Sequence, residues 1–139
     1  MTLVLDASLT VAWYFEDEST DATDALLQRV TATGAVVPSL WRLEVASAFQ
    51  SAIRRKRIDT AYRDRSLARL AQLPVKVDAD AESHTWSTTL RLADQFGLTI
   101  YDATYLELAL RLGLPLATLD QPLRKAGGAI GITLLGLAS

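Results

Sequence analysis

The sequence predicts a three-layer α/β sandwich with a mostly parallel sheet of about five strands. Two observations carry this. Short apolar, β-prone runs alternate with helical patterns along the whole chain. The 139 residues, half of them hydrophobic, show no repeat, low-complexity tract or linker. One domain, 1–139, is therefore expected, long enough for a real core.

The elements follow in order. Thr2 to Leu5 is a β-prone run ending at Asp6 and predicts a buried strand. Asp6-Ala7-Ser8 turns into a short apolar helix, Leu9 to Phe15. Ser19 to Asp21 offers N-caps for a second helix reaching about Ala32, which Gly34 stops. Ala35 to Val37 is a strand closed by Pro38. Ser39 can cap a long helix to about Arg55, with the apolar stripe Trp41, Val45, Ala48, Phe49 and Ala52. After the basic turn Arg54-Arg55-Lys56-Arg57, Asp59 or Thr60 starts a helix to about Gln72. Val75 to Val77 follows as a strand, and Asp80 to Phe96 as an amphipathic helix closed by Gly97. Leu98 to Leu112 suits a buried helix with Gly113 as its stop. Pro115 to Leu119 is a strand, Gln121 to Ala126 a helical turn, Gly127-Gly128 a loop, and Ile130 to Leu135 the last strand.

Composition narrows the chemistry. A net charge of −2 argues against a chain that is basic overall, and leaves only a local basic patch for nucleic acid. The absence of cysteine removes disulfides, thiolate nucleophiles and zinc-thiolate sites, and the single His84 cannot build a histidine-rich site. Any metal must be held by carboxylates, which favours Mg²⁺ or Mn²⁺ over Zn²⁺. Asp6 comes too soon for a signal peptide, and no apolar run is long enough to cross a membrane, so a cytoplasmic protein is expected.

Four acids stand apart from the rest. Asp6, Glu44, Asp102 and Asp120 are each flanked by apolar or small residues, whereas Glu16, Asp17, Asp64 and Asp94 lie in polar runs. Asp6 and Asp120 also fall at strand ends, where ligands collect in parallel sheets. Asp102 faces inward, with Tyr105, Leu106 and Ala109 on its side of the helix. A buried carboxylate is costly without a partner. Each acid also admits a structural account. Asp6 can end a strand and cap the next helix, Glu44 can be solvated on the margin of its stripe, Asp102 can be a cap, and Asp120 can start a turn before Pro122. Glu107 is acidic in an apolar helix, but five residues past Asp102 put it roughly 140° round, outside the group.

Together the pieces resemble a PIN-domain ribonuclease, specifically the VapC-type toxins of toxin–antitoxin pairs. The resemblance spans the chain and rests on Leu5-Asp6-Ala7-Ser8, Val37-Pro38-Ser39-Leu40-Trp41 with Glu44, Tyr101-Asp102-Ala103-Thr104-Tyr105, and Ala117-Thr118-Leu119-Asp120. It implies sheet order 3-2-1-4-5 and a catalytic, metal-binding set of Asp6, Glu44, Asp102 and Asp120, with Ser8 and Thr118 as auxiliary polar positions. It also implies Mg²⁺- or Mn²⁺-dependent hydrolysis of an RNA phosphodiester, with tRNA or other structured RNA as the substrate class. A VapB-type antitoxin and a homodimer are the implied partners.

RNA needs a positive path, and Arg54, Arg55, Lys56 and Arg57, with Arg63, Arg65 and Arg69, form the densest basic cluster; a solvated helix end is the other account. Trp13, Tyr14 and Phe15, with Leu26 and Leu27, can line a groove for the antitoxin or pack in the core. Other α/β classes lack their marks. There is no Gly-x-Gly-x-x-Gly after the first strand and no P-loop. A haloacid dehalogenase-type phosphatase wants a second aspartate where Ser8 stands, and a phospho-receiver domain wants paired acids and a late lysine. The remaining alternative is a catalytically silent PIN-like module that binds a partner protein.

Overall fold

The computed structural model describes residues 2–137, so the predicted domain extends past the described residues at both ends. Five strands form one sheet: β1 (Val4–Leu5), β2 (Ala35–Val37), β3 (Val75–Val77), β4 (Leu116–Ala117) and β5 (Leu134–Leu135). Their order is β3-β2-β1-β4-β5, every pairing is parallel, and helices cover both sides. This is the predicted architecture. Val4 sits opposite Val36 on one side and Leu116 on the other, so β1 is the middle strand. Leu3, Val4 and Leu5 are fully buried, as a strand covered on both faces requires.

The helices are α1 (Ala7–Ala12), α2 (Asp21–Thr33), α3 (Leu40–Arg54), α4 (Thr60–Leu70), α5 (Leu90–Phe96), α6 (Ile100–Leu112) and α7 (Gln121–Ala129). α6 packs on β1 and β4 and is buried continuously from Ala103 to Ala109. A helix apolar on nearly all sides belongs inside, and its position fixes where Asp102 can be. Gly34 ends α2 at φ +81°, ψ 176°, a conformation almost confined to glycine, and a Cβ there would stand 2.8 Å from the Pro74 carbonyl oxygen.

Several expectations need correction. The first helix begins at Ala7, not Leu9, and ends at Ala12, with turns following. Ser39 makes no side-chain cap bond, because its own backbone is already helical at φ −59°, ψ −29°. The stretch from Asp80 to Phe96 is not one helix: a 3₁₀ turn (Ala81–His84) and a π turn (Thr85–Thr89) precede α5. Ser83, Thr85, Ser87, Thr88 and Thr89 are weak helix formers, which explains the departure. Gly127 and Gly128 lie inside α7 rather than in a loop. A Cβ at Gly127 would stand 2.9 Å from Leu134 Cδ2, so α7 packs closely on β5 there. The last strand is correspondingly short, Leu134–Leu135.

Glu107 finds a structural role. It is 2 % exposed, and Arg111 Nε donates to both its carboxylate oxygens at 3.0 Å. Arg111 Nη2 also donates to Asp78 Oδ2 at 2.8 Å, tying α6 to the segment after β3. Removing one partner of a buried pair leaves the other charge uncompensated. Arg111→Met should therefore lower unfolding stability in urea by about 3 kcal/mol, the lower end for such a break because the guanidinium reaches solvent. An unchanged urea midpoint would show that Glu107 is satisfied without it.

Candidate active site

The sheet delivers Asp6 first. It follows β1 in extended backbone and begins α1, yet its side chain makes no cap bond. Its Oδ2 instead accepts two hydroxyls, Ser8 Oγ at 2.6 Å and Thr118 Oγ1 at 2.7 Å. Those hydroxyls have a settled direction. Ser8 Oγ accepts the Leu119 N–H at 3.1 Å, and Thr118 Oγ1 accepts the Asp120 N–H at 3.0 Å. With amide protons on their lone pairs, both hydroxyls have their own protons free for Asp6. Oδ1 of Asp6 has no side-chain donor among the described residues. The carboxylate is 4 % exposed, and its clamp joins the ends of β1 and β4.

The other three acids arrive from separate elements. Asp120 follows β4, and its Oδ2 accepts the Leu123 N–H at 3.0 Å, so it caps α7 as the structural account holds. Asp102 does not cap α6. Thr99 does, its Oγ1 accepting the Asp102 N–H at 3.1 Å, which leaves the Asp102 carboxylate uncommitted to the helix end. Glu44 lies in the second turn of α3, half-buried, and its Oε1 accepts the Tyr105 hydroxyl at 2.6 Å. Cap accounts thus fail for Asp6 and Asp102 and hold for Asp120.

Electrostatics group the four. Burial raises the Asp6 carboxyl above its ordinary range; the Ser8 and Thr118 hydroxyls oppose that, and the charge of Asp120 adds to it. Burial also raises Glu44, with Tyr105 opposing and Asp6, Asp102 and Asp120 adding. Asp102 is pushed up to about 6, first by burial and then by the charges of Asp120 and Asp6. The neighbouring charges that move these three are all negative. Among the described residues, however, no three acidic or histidine side chains stand together as a ready-made cage for one ion. What the four offer is an all-oxygen donor set without a basic counter-charge, the chemistry of a hard divalent cation.

The basic cluster stands elsewhere. Arg54 lies ten residues beyond Glu44 on α3, roughly 15 Å along the axis. Arg54, Arg55, Lys56 and Arg57 are exposed, but Arg57 is engaged with Asp17 at 2.8 Å and Glu18 at 3.4 Å, and lies 4.7 Å from the Phe15 ring centroid. A groove of about 1240 Å³ beside it is lined by Tyr14, Phe15, Lys56, Arg57 and Tyr62, among others, and by none of the four acids. Phe15 and Leu26 are core residues, and Trp13 Nε1 donates to the Thr23 carbonyl at 2.8 Å. Tyr105 is the site neighbour whose bond the sequence does not disclose. Its place one turn from Asp102 is the only signal, because a tyrosine in an apolar helix reads first as core.

Comparison with known proteins agrees with this geometry. The family model for the PIN domain matches residues 3–129, and the chain belongs to that family. PIN domains are in general metal-dependent nucleases, typically using Mg²⁺ or Mn²⁺ on nucleic acid. The crystal structure of PAE2754 from Pyrobaculum aerophilum is similar to this chain, with a TM-score of 0.67 and 25 % identity over 91 % of this chain and 84 % of that one. No curated protein matches. Among the described residues, no helix is long and apolar enough to cross a membrane.

The raised carboxyl of Asp102 makes a pH prediction. Its folded pKa of about 6 exceeds the ordinary 3.8, so folding favours the protonated form. The penalty on the ionised form, from burial first and repulsion second, is absent below about pH 4, grows between about pH 4 and about pH 6, and is complete above that. In chelator, the melting temperature of Asp102→Asn minus that of wild type should rise as pH passes from about 4 to about 7. A gap that stays constant across that window would mean Asp102 titrates as an ordinary carboxylate.

Proposed function

We propose that this chain is a divalent-cation-dependent endoribonuclease of the VapC toxin type, cutting RNA phosphodiester bonds and neutralised by a VapB-type antitoxin. The observation that carries this reading is the grouping of four carboxylates, Asp6 and Asp120 after β1 and β4 and Glu44 and Asp102 on α3 and α6, in which the charged neighbours that shift Asp6, Glu44 and Asp102 are the other acids of the group. Folding has collected like charges where it could have dispersed them, and a bound cation offsets that cost. Asp6, Glu44, Asp102 and Asp120 are the residues to hold Mg²⁺ or Mn²⁺. When bound, the cation supplies a lowered pKa for attacking water and charge balance for the phosphoryl oxygens. The chain itself contributes orientation. Ser8 and Thr118 fix Asp6 through one oxygen and leave the other available.

The partners belong to the same proposal. The exposed Arg54, Arg55 and Lys56 offer a path for the RNA backbone, with Arg57 contributing less because of its ion pairs. The groove beside Tyr14 and Phe15 is the place for an antitoxin segment. The exposed Leu43 and Trp86 offer apolar area for a homodimer. Structured RNA such as tRNA is the substrate class.

Two observations favour a second reading, a catalytically silent PIN-like module that binds a partner protein. No three acids form a ready-made cage among the described residues, and Asp120 already caps α7. Activity separates the two. Wild type should cleave RNA with Mg²⁺ or Mn²⁺, and Asp6→Asn, Glu44→Gln, Asp102→Asn and Asp120→Asn should each remain folded. Loss of an outer partner of a metal ligand costs roughly 10–100-fold, so loss of a ligand itself should cost about a hundredfold or more. Mapping new 5′ ends of total RNA after brief expression identifies the cut, and co-expression of a neighbouring small gene should abolish it. Absence of metal-dependent cleavage by wild type would favour the binding module. Full activity in any one variant would remove that residue from the site.

A further inference from the structure

Tyr105 joins the two helices that carry Glu44 and Asp102. Its ring is fully buried in the core on α6, so its hydroxyl is held in one place. That hydroxyl donates to Glu44 Oε1 on α3, at 2.6 Å across 61 residues of sequence. Glu44 needs such a hold. It is half-buried, its neighbours Leu43 and Ala46 are exposed, and a glutamate has three side-chain torsions with which to leave. Asp6, Asp102 and Asp120 all repel it. Tyr105 is its hydrogen-bond donor among the described residues, and one engaged oxygen leaves Oε2 free. A core tyrosine only has to find some acceptor for its hydroxyl. Here it takes Glu44, the one glutamate of the group and so the acid on the longest side chain.

We propose that Tyr105 is a positioning residue that holds the Glu44 carboxylate among the other three acids, in place for a divalent cation. This rests on the cation-dependent reading above, and the test separates the two. Mn²⁺ binding is measured by calorimetry, without RNA, for wild type, Tyr105→Phe and Thr104→Val. Phenylalanine keeps the ring and its packing and removes only the hydroxyl. Thr104→Val is the control, since it removes an adjacent hydroxyl on the same helix that donates to the Ile100 carbonyl. Tyr105→Phe should bind Mn²⁺ about tenfold more weakly, as loss of a ligand's orienting partner does, while Thr104→Val binds as wild type. Circular dichroism in chelator confirms that each variant is folded. Unchanged Mn²⁺ affinity in Tyr105→Phe, with only a lower melting temperature, would overturn the positioning role and leave the cation reading standing. Failure of wild type to bind Mn²⁺ would overturn both.

Discussion

The carboxylate of Asp6 is the constraint from which the rest of the site follows. A charge that is 4 % exposed just past the middle strand of a five-stranded sheet cannot stand without donors. Ser8, two residues on, and Thr118, at the end of β4, supply them. Because their lone pairs accept the Leu119 and Asp120 amides, the same bonds that stabilise Asp6 also place Asp120. Sheet pairing between β1 and β4, the clamp on Asp6 and the start of α7 are thus one connected network.

That network solves half of an electrostatic problem and leaves the other half open. Neutral hydroxyls orient a carboxylate but do not cancel its charge. Burial and mutual repulsion raise Asp6, Glu44 and Asp102 together, and the charged neighbours that shift them are acids. The contrast with Glu107 is instructive. It is more deeply buried than Asp6, yet it has its own arginine and a bidentate bond. The same protein therefore satisfies one buried acid with a side-chain cation and leaves a group of four without one. The first is a structural ion pair, and the second is the group proposed to hold an external cation.

The sequence disclosed the layout better than the bonding. Strand ends and apolar flanks set Asp6, Glu44, Asp102 and Asp120 apart as candidates, because burial and topology leave local traces. Helical angle alone separates Glu107 from Asp102, and its carboxylate pairs with Arg111. The two hydroxyls on Asp6 are candidates only through the family resemblance, and the Tyr105–Glu44 bond is not visible at all: Thr118–Asp6 and Tyr105–Glu44 span 112 and 61 residues, which local pattern does not encode, and Ser8, two residues from Asp6, reads first as part of the turn. The misplaced elements have the same origin. Gly127 and Gly128 carry the usual mark of a loop, yet α7 uses Gly127 to approach Leu134, a demand made by the far end of the sheet. Arg57 sits in a basic run, but Asp17 and Glu18 take up its charge from forty and thirty-nine residues away.

Together the four carboxylates are proposed to make a place for a divalent cation. Anomalous diffraction from crystals grown in Mn²⁺ tests it most directly. Wild type should show a peak bounded by the carboxylates of Asp6, Glu44, Asp102 and Asp120, and Asp6→Asn crystals under the same conditions should lose or weaken it. Absence of any peak at these strand ends in saturating Mn²⁺, or a peak bound only elsewhere on the surface, would contradict it.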